Sequence, residues 1–232
     1  MPFTLLLRFA GVLQSWGTDS RFEIRRTETI PTKSGIIGFL AAALGRRRDE
    51  DIDDLADLKI GVRADQPGAL ISDFHTAKKD AKTSYITNRY YLSDAVFLIG
   101  IESDDKDVLL ELENAIRHPA YPLFLGRRSC VPEAPIVKEI VPLPLKEALE
   151  NHKFVGRKGM EPAYYHIFLE GSSRTLGRKV MDQPVSFDFH HRKYQARFVQ
   201  ETITENSQRK ETVQPALHQT EQDVLEELEN LK

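Results

Sequence analysis

The sequence has a single cysteine, Cys130, among its 232 residues. A disulfide framework, or a zinc site built from several cysteines, is therefore excluded within the chain. No apolar run approaches the roughly 20 residues that a membrane-spanning helix needs. The apolar stretch near the N-terminus is interrupted by Arg8 and has no basic segment before it, which is unlike a signal peptide. These features predict a cytoplasmic protein without a membrane segment.

The sequence also lacks the patterns of common catalytic and metal sites. None of its seven histidines lies in an H-E-x-x-H motif or beside a carboxylate cluster at ligand spacing, and no G-x-S-x-G occurs. Adjacent His190 and His191 could supply acid–base chemistry on RNA. Neighbouring residues on a strand face opposite ways, however, so surface or core positions are the better interpretation. We expect no metal, no cofactor and no catalytic residue.

The charges that are present are unevenly distributed. Residues 1–48 hold eight Lys or Arg against three acids, residues 49–57 hold six acids and no base, and residues 201–232 hold eight acids against three bases. A near-neutral chain with a basic front and an acidic tail is typical of a protein with one face for a polyanion. An ordinary mixed surface is the alternative.

Hydrophobic periodicity predicts an α+β fold with the element order β-α-β-β-α-β, the pattern of a ferredoxin-like unit. The predicted strands are 3–9, 58–65, 94–102 and about 136–141, and the predicted helices are 33–44 and 105–117. We divide the chain into a ferredoxin-like domain (1–150), a small C-terminal β region (151–200) and an acidic polar tail with a short terminal helix (201–232).

The start of the first predicted helix favours phosphate binding. A Walker loop needs glycines before its Lys, and none lies between Gly17 and Gly35, so a nucleotide loop is excluded. A helix N-terminus nevertheless attracts anions, and Lys33 beside it strengthens that tendency. The simpler interpretation, that Thr32 or Ser34 only caps the helix, does not exclude a phosphate.

Residues 75–93 are basic and aromatic. Tyr85, Tyr90 and Tyr91 alternate with Lys82 and Arg89, a composition that suits stacking on unpaired bases while cations neutralise the backbone. An ordinary hairpin whose tyrosines pack on the body is the alternative, and both stay open at this point.

Several blocks of the sequence together resemble a known family. They are "LLLRFAGVLQSWG" (5–17), "RRTETIPTKSGIIGFLAAALG" (25–45), "DFHT" (73–76), "YLSDAVFLIG" (91–100) and "YPLFLGRRSC" (121–130). In combination they resemble the fifth Cas family, within the RAMP superfamily, in the form it takes in type I-E CRISPR Cascade. The resemblance implies a ferredoxin-like RAMP domain with a protruding thumb hairpin, about 75–93, and a small C-terminal β region.

The resemblance also implies a function. The family holds the 5′ handle of the CRISPR RNA (crRNA) at one end of the Cascade complex, beside the CasC backbone and the CasA large subunit. Another subunit, CasE, makes the processing cut in type I-E systems, so we expect an RNA-binding protein that is not an enzyme. The alternatives are a metal-independent endoribonuclease, as in the type I-C relative, and a scaffold whose basic face meets acidic protein.

Carried over by position, the resemblance predicts an RNA-binding site from four parts of the chain. They are the loop Gln14, Ser15 and Trp16 with the basic run Arg21, Arg25 and Arg26, the helix start Thr32, Lys33 and Ser34, the thumb residues Lys82, Tyr85, Arg89, Tyr90 and Tyr91, and the turn residues Arg127 and Arg128.

Overall fold

A seven-stranded antiparallel sheet with helices on both faces forms the body of the protein. The computed structural model describes residues 1–17, 24–78, 84–171, 177–207 and 209. The strands are β1 (Phe3–Ala10), β2 (Leu13–Gln14), β3 (Ile24–Arg25), β4 (Lys59–Gln66), β5 (Ala69–Lys78), β6 (Ser84–Ser93), β7 (Val96–Ser103), β8 (Val137–Val141), β9 (Tyr164–Glu170), β10 (Arg178–Ser186) and β11 (Lys193–Glu205). The helices are α1 (Lys33–Ala43), α2 (Asp53–Ala56), α3 (Lys106–Arg117) and α4 (Leu145–Asn151). Among the described residues, no helix is long and apolar enough to cross a membrane.

The predicted α+β class and element order are confirmed. The order β-α-β-β-α-β is formed by β1, α1, β4, β7, α3 and β8. The four strands lie side by side as β4-β7-β1-β8, and each neighbouring pair is antiparallel. That is the strand arrangement of a ferredoxin-like unit.

The body has two apolar cores because β1 is buried on both faces. Leu5, Leu7 and Phe9 pack with the apolar residues of α1 and α3, whereas Leu6 and Ala10 pack with α4. A strand covered on both sides reads as a continuous apolar run, which is why "FTLLLRFA" shows so little polar alternation.

Two glycines let α4 approach the sheet closely. Gly61 of β4 and Gly100 of β7 lie opposite each other in the register. A Cβ atom on Gly100 would lie 2.5 Å from Leu145 Cδ1, and one on Gly61 would lie 2.7 Å from Leu149 Cδ1. The pair therefore forms a shallow depression in the sheet that receives the two leucines of α4.

A buried arginine fixes the end of α4 to β4. The side chain of Arg63 is fully buried, and its five N–H groups donate to the Asp65 carboxylate (2.6 and 2.9 Å) and to three carbonyl oxygens, those of Leu149, His152 and Lys153 (2.5 to 3.0 Å). Every donor of the guanidinium thus has an acceptor. The contact ties α4 and the segment after it to the central sheet.

The C-terminal β region adds its strands to the same sheet. β9 pairs with β4, β11 with β9 and β10 with β11, all antiparallel. The strand β11 continues to Glu205, five residues past the predicted boundary at residue 200. Thr202, Ile203 and Thr204 are β-branched residues that fit a strand despite the acidic neighbours. The predicted terminal helix lies outside the described residues.

The predicted thumb is a hairpin that begins earlier than expected. β5 starts at Ala69, just after the turn residue Gly68 (φ +77°), and pairs with β6 up to Lys78 and Ser84. The short strands β2 and β3 pair with β6 on its other side. Residues 79–83, between the two hairpin strands, lie outside the described residues.

Candidate nucleic-acid interface

The N-terminus of α1 already has an anionic partner from the protein itself. Thr32 caps the helix, and its hydroxyl accepts a hydrogen bond from Gly35 N–H (3.2 Å). The Lys33 N–H donates to the carboxylate of Asp182 on β10 (2.8 Å). A carboxylate thus lies at the N-terminus of α1, where the sequence predicts a phosphate. The N–H groups and the dipole of the helix attract either anion.

The side chain of Lys33 is also committed within the protein. It is 3% exposed, and its ammonium group donates to Glu170 on β9 (2.6 Å). Arg197 on β11 donates to both oxygens of Asp182 (2.6 and 2.9 Å) and lies 3.8 Å from Glu170. Lys33 therefore joins α1 to the C-terminal strands while Thr32 caps the helix, and the phosphate contacts of Thr32 and Lys33 stay predictions.

Lys33→Met is expected to lower the free energy of unfolding by about 2 kcal/mol, because it removes a buried charged hydrogen bond and leaves Glu170 with Arg197 alone, 3.8 Å away. The measurement is urea unfolding of the variant beside wild type. Arg157→Met is the control: its ion pair with Asp94 has a similar distance (2.7 Å), but both side chains are exposed, 63% and 45%. Exposed pairs contribute less than about 1 kcal/mol. Equal losses in the two variants would contradict the structural role of Lys33.

The predicted contact loop is buried as well. Trp16 is 1% exposed, lies against the first turn of α1 at Gly35, and donates from Nε1 to Gln14 Oε1 (3.1 Å). The Gln14 amide donates to the carbonyl oxygens of Phe9 and Ala95 (3.3 and 2.7 Å). Both side chains therefore hold the loop onto the core, and the RNA contacts of Gln14 and Trp16 stay predictions.

The turn at Gly126 packs directly on this loop. Gly126 has φ +86°, and a Cβ atom there would lie 1.8 Å from the carbonyl oxygen of Ser15. Ser15 N–H donates to Leu125 O (3.1 Å), and its buried side chain donates to Tyr90 O (3.1 Å). The two sequence blocks thus meet in one support, and the predicted RNA contact of Ser15 stays a prediction.

Arg127 connects the turn at Gly126 to the hairpin strand β6. Its guanidinium donates to the carbonyl oxygens of Tyr90 (3.2 Å) and Arg25 (2.8 Å) and lies 4.7 Å from the centre of the Tyr91 ring. Tyr91 is buried beneath it, and its predicted stacking on RNA stays a prediction. Arg127 holds neighbouring backbone in place, and Arg128 next to it is exposed.

A cleft of about 1400 Å³ lies beside this support. Seven arginines line it with a single acid, Asp49, among the described lining residues; they are Arg25, Arg46, Arg47, Arg48, Arg127, Arg128 and Arg192. The small residues Gly38, Ala41 and Ala42 of α1 form part of its wall. The cleft therefore has the charge of a polyanion site.

The seven arginines fall into two groups. Arg46 forms a two-pronged ion pair with Asp54 (2.5 Å for each oxygen), whose hydrogen bond holds the pKa of that carboxyl below its usual value. Arg47 pairs with Asp49 (3.2 Å), and Arg127 donates to backbone. The guanidinium groups of the other four make no ion pair within the described residues; they are Arg25, Arg48, Arg128 and Arg192. These four are exposed and available for phosphate oxygens.

Aromatic side chains lie among these cations. Tyr121 is exposed, Tyr194, Phe187 and Phe124 are half-buried, and all four line the cleft. Rings interspersed with arginines are the composition of surfaces that hold single-stranded nucleic acid, where bases stack and phosphates are neutralised.

Of the remaining predicted residues, Ser34 is the one among the described residues that lines the cleft. Arg26 is exposed beside Arg25, and Ser34 lines the cleft in a half-buried position. Arg89 and Tyr90 are half-buried on β6. Arg21, Lys82 and the side chain of Tyr85 lie outside the described residues.

Sequence reasoning missed the part of the cleft that comes from elsewhere in the chain. Arg46, Arg47 and Arg48 follow α1, Arg192 comes from the β10–β11 connection, and Tyr194 lies at the start of β11. The three consecutive arginines lie within the basic segment 1–48, so the sequence did indicate them as candidates for binding a polyanion. Arg192 carried no comparable signal, because its proximity depends on β10 packing against α1.

The chain is similar in sequence and in fold to several known proteins. A family model described as CRISPR-associated protein (Cas_Cas5) matches residues 4–200. The CRISPR system Cascade subunit CasD of Escherichia coli (strain K12) is 34% identical over 147 residues, which is 54% of this chain and 66% of that protein. A solved structure described as a Cas protein is 44% identical, with a TM-score of 0.71, over 87% of this chain and 95% of its own. A chain of a CRISPR RNA-guided surveillance complex is 31% identical, with a TM-score of 0.73, over 87% of this chain and 90% of its own.

Proposed function

The chain belongs to the Cas5 family of CRISPR-associated proteins, and from that premise we propose that it is the CasD-type RNA-binding subunit of a Cascade surveillance complex. In this role it holds the 5′ handle of the crRNA and takes part in antiviral defence in the cytoplasm. The similarity to the E. coli subunit extends over slightly less than two thirds of that protein's length, and the function rests equally on the cleft.

The arginine cleft is the observation that carries the proposal. Four exposed arginines without ion pairs in the described part of the chain face one cavity, together with four aromatic rings. Phosphate contacts from the arginines position the handle, and the rings stack on its unpaired bases. In the scaffold alternative, the cleft binds an acidic protein in place of RNA, and the aromatic side chains that line it have no role.

We propose that the subunit binds RNA without cutting it. A metal-independent cut needs a general base and a general acid at the scissile phosphate. The described residues that line the cleft include no histidine, and His152, which is buried next to Arg63, has a pKa lowered by that burial. The CasC backbone and the CasA large subunit are the proposed protein neighbours at the two sides of the handle.

Incubating the purified chain with labelled repeat RNA in EDTA tests both parts of the proposal. We expect a complex whose affinity falls as salt is raised, and RNA that stays intact. A site-specific cut that releases a 5′ handle would establish the endoribonuclease alternative instead. Absence of any RNA complex, together with a Cascade assembly that survives nuclease treatment, would favour the protein scaffold.

A further inference from the structure

The connection between β10 and β11 carries an exposed aromatic ring at the edge of the arginine cleft. Phe189 is 78% exposed, although it lies between residues that line the cleft, Phe187 on one side and Arg192 on the other. Its one ring contact among the described residues is the edge of His190, with centroids 5.4 Å apart. Burial in the fold therefore does not account for a phenylalanine at this position.

The loop is held in a defined shape. The Asp188 carboxylate accepts hydrogen bonds from the backbone N–H groups of His190 (2.6 Å) and His191 (3.0 Å), and Asp188 N–H donates to the Ser186 hydroxyl (3.1 Å). The two backbone donors hold the pKa of the Asp188 carboxyl below its usual value, so the carboxylate stays charged near neutral pH. An exposed ring on a pre-shaped loop loses less entropy on binding than one on a mobile loop.

The surroundings of the ring indicate which ligand it meets. Arg192 and Lys193 follow it, both exposed and without an ion pair in the described part of the chain. Phe187 fixes the start of the loop to α1, since a Cβ atom on Gly38 would lie 3.8 Å from its ring. The ring and the two cations thus lie on one short segment whose members Phe187 and Arg192 line the cleft, and such a mixture of rings and cations suits the bases and phosphates of a single strand.

We propose that Phe189 is the stacking platform for one unpaired nucleobase of the bound RNA, and that Arg192 contacts the phosphate beside that base. This rests on the proposed RNA-binding function and assigns part of it to the C-terminal strands. This stacking requires a base but does not distinguish one base from another, because every base has a ring face.

Fluorescence anisotropy of labelled repeat-derived RNA with the full chain tests the assignment. Phe189→Ala is expected to weaken binding by about 5- to 100-fold, the range for loss of one base–aromatic stack. The dependence of affinity on salt stays as in wild type, because no charge is lost. Phe189→Tyr retains the stacking ring and serves as the rescue variant, and unchanged thermal unfolding of both variants shows that the fold is intact.

A series of RNAs, each with one abasic position, separates stacking from an indirect effect. At one position, wild type is expected to lose the same factor as Phe189→Ala, while the variant loses nothing further. Wild-type affinity in Phe189→Ala overturns the stacking assignment and leaves the RNA-binding function standing. A variant that binds RNA normally but no longer assembles with protein subunits also overturns it and makes the loop a protein contact. Absence of RNA binding by wild type overturns the proposed function itself.

Discussion

Replacing Arg25, Arg48, Arg128 and Arg192 together by alanine is expected to reduce the affinity for handle RNA by about 100-fold at 0.15 M salt. These four line the cleft, are exposed, and make no ion pair within the described residues, so their removal takes away phosphate contacts without breaking internal ones. The slope of log affinity against log salt is expected to become shallower by about 3, since each contact to a single strand contributes about 0.7.

A charge-matched control separates local contacts from net charge. Replacing Arg117, Lys146, Lys153 and Lys158 by alanine removes the same charge from exposed positions that do not line the cleft. This control is expected to keep the wild-type salt slope. If both quadruple variants lose affinity equally, the RNA responds to the overall field of the protein and the cleft is not its site.

Arg63→Leu is expected to be the most destabilising single substitution considered for this protein, at about 5 kcal/mol. It leaves the Asp65 carboxylate buried without its partner and three backbone carbonyls without their donor. For a chain of this length the melting temperature is expected to fall by about 10 to 20 °C. Thermal and urea unfolding measure the effect directly.

Two further variants test where the cost arises. Arg63→Leu combined with Asp65→Leu removes the unpaired charge and is expected to recover part of the lost stability. Arg157→Leu breaks an exposed ion pair, that with Asp94 (2.7 Å), and is expected to cost less than about 1 kcal/mol. If Arg63→Leu unfolds at the same urea concentration as wild type, the buried network does not hold α4 to the sheet.

The body of the fold follows from patterns that are local in sequence. The apolar run of β1 and the apolar spacing of α1 and α3 each indicate their element within one or two residues of its observed ends. Local pattern fails at β11, where a strand continues through an acidic segment because β9 pairs with it. Pairing between distant strands overrides local composition there.

The site was less predictable because its contacts join distant parts of the chain. Nothing near Lys33 in the sequence shows that Glu170 and Asp182 lie over the start of α1. The motif residues Gln14 and Trp16 hold their loop onto the core, and in a sequence a pattern that supports a binding surface looks the same as one that forms it. The exposed arginines that line the cleft lie beside these supporting residues. Only the fold distinguishes the residues that form the surface from those that support it.

The pairing of β4 with β9 has a consequence for how the protein is made. During synthesis the strands up to β8 emerge first, and one edge of β4 stays open until residues 164–170 have followed. At the usual rate of translation this interval lasts about 2 to 6 seconds. An open edge invites pairing with other nascent chains, and charged side chains on a strand oppose such pairing. Arg63 and Asp65 lie on β4, so the charges that fix α4 in the folded protein are also expected to oppose such pairing while the edge is open.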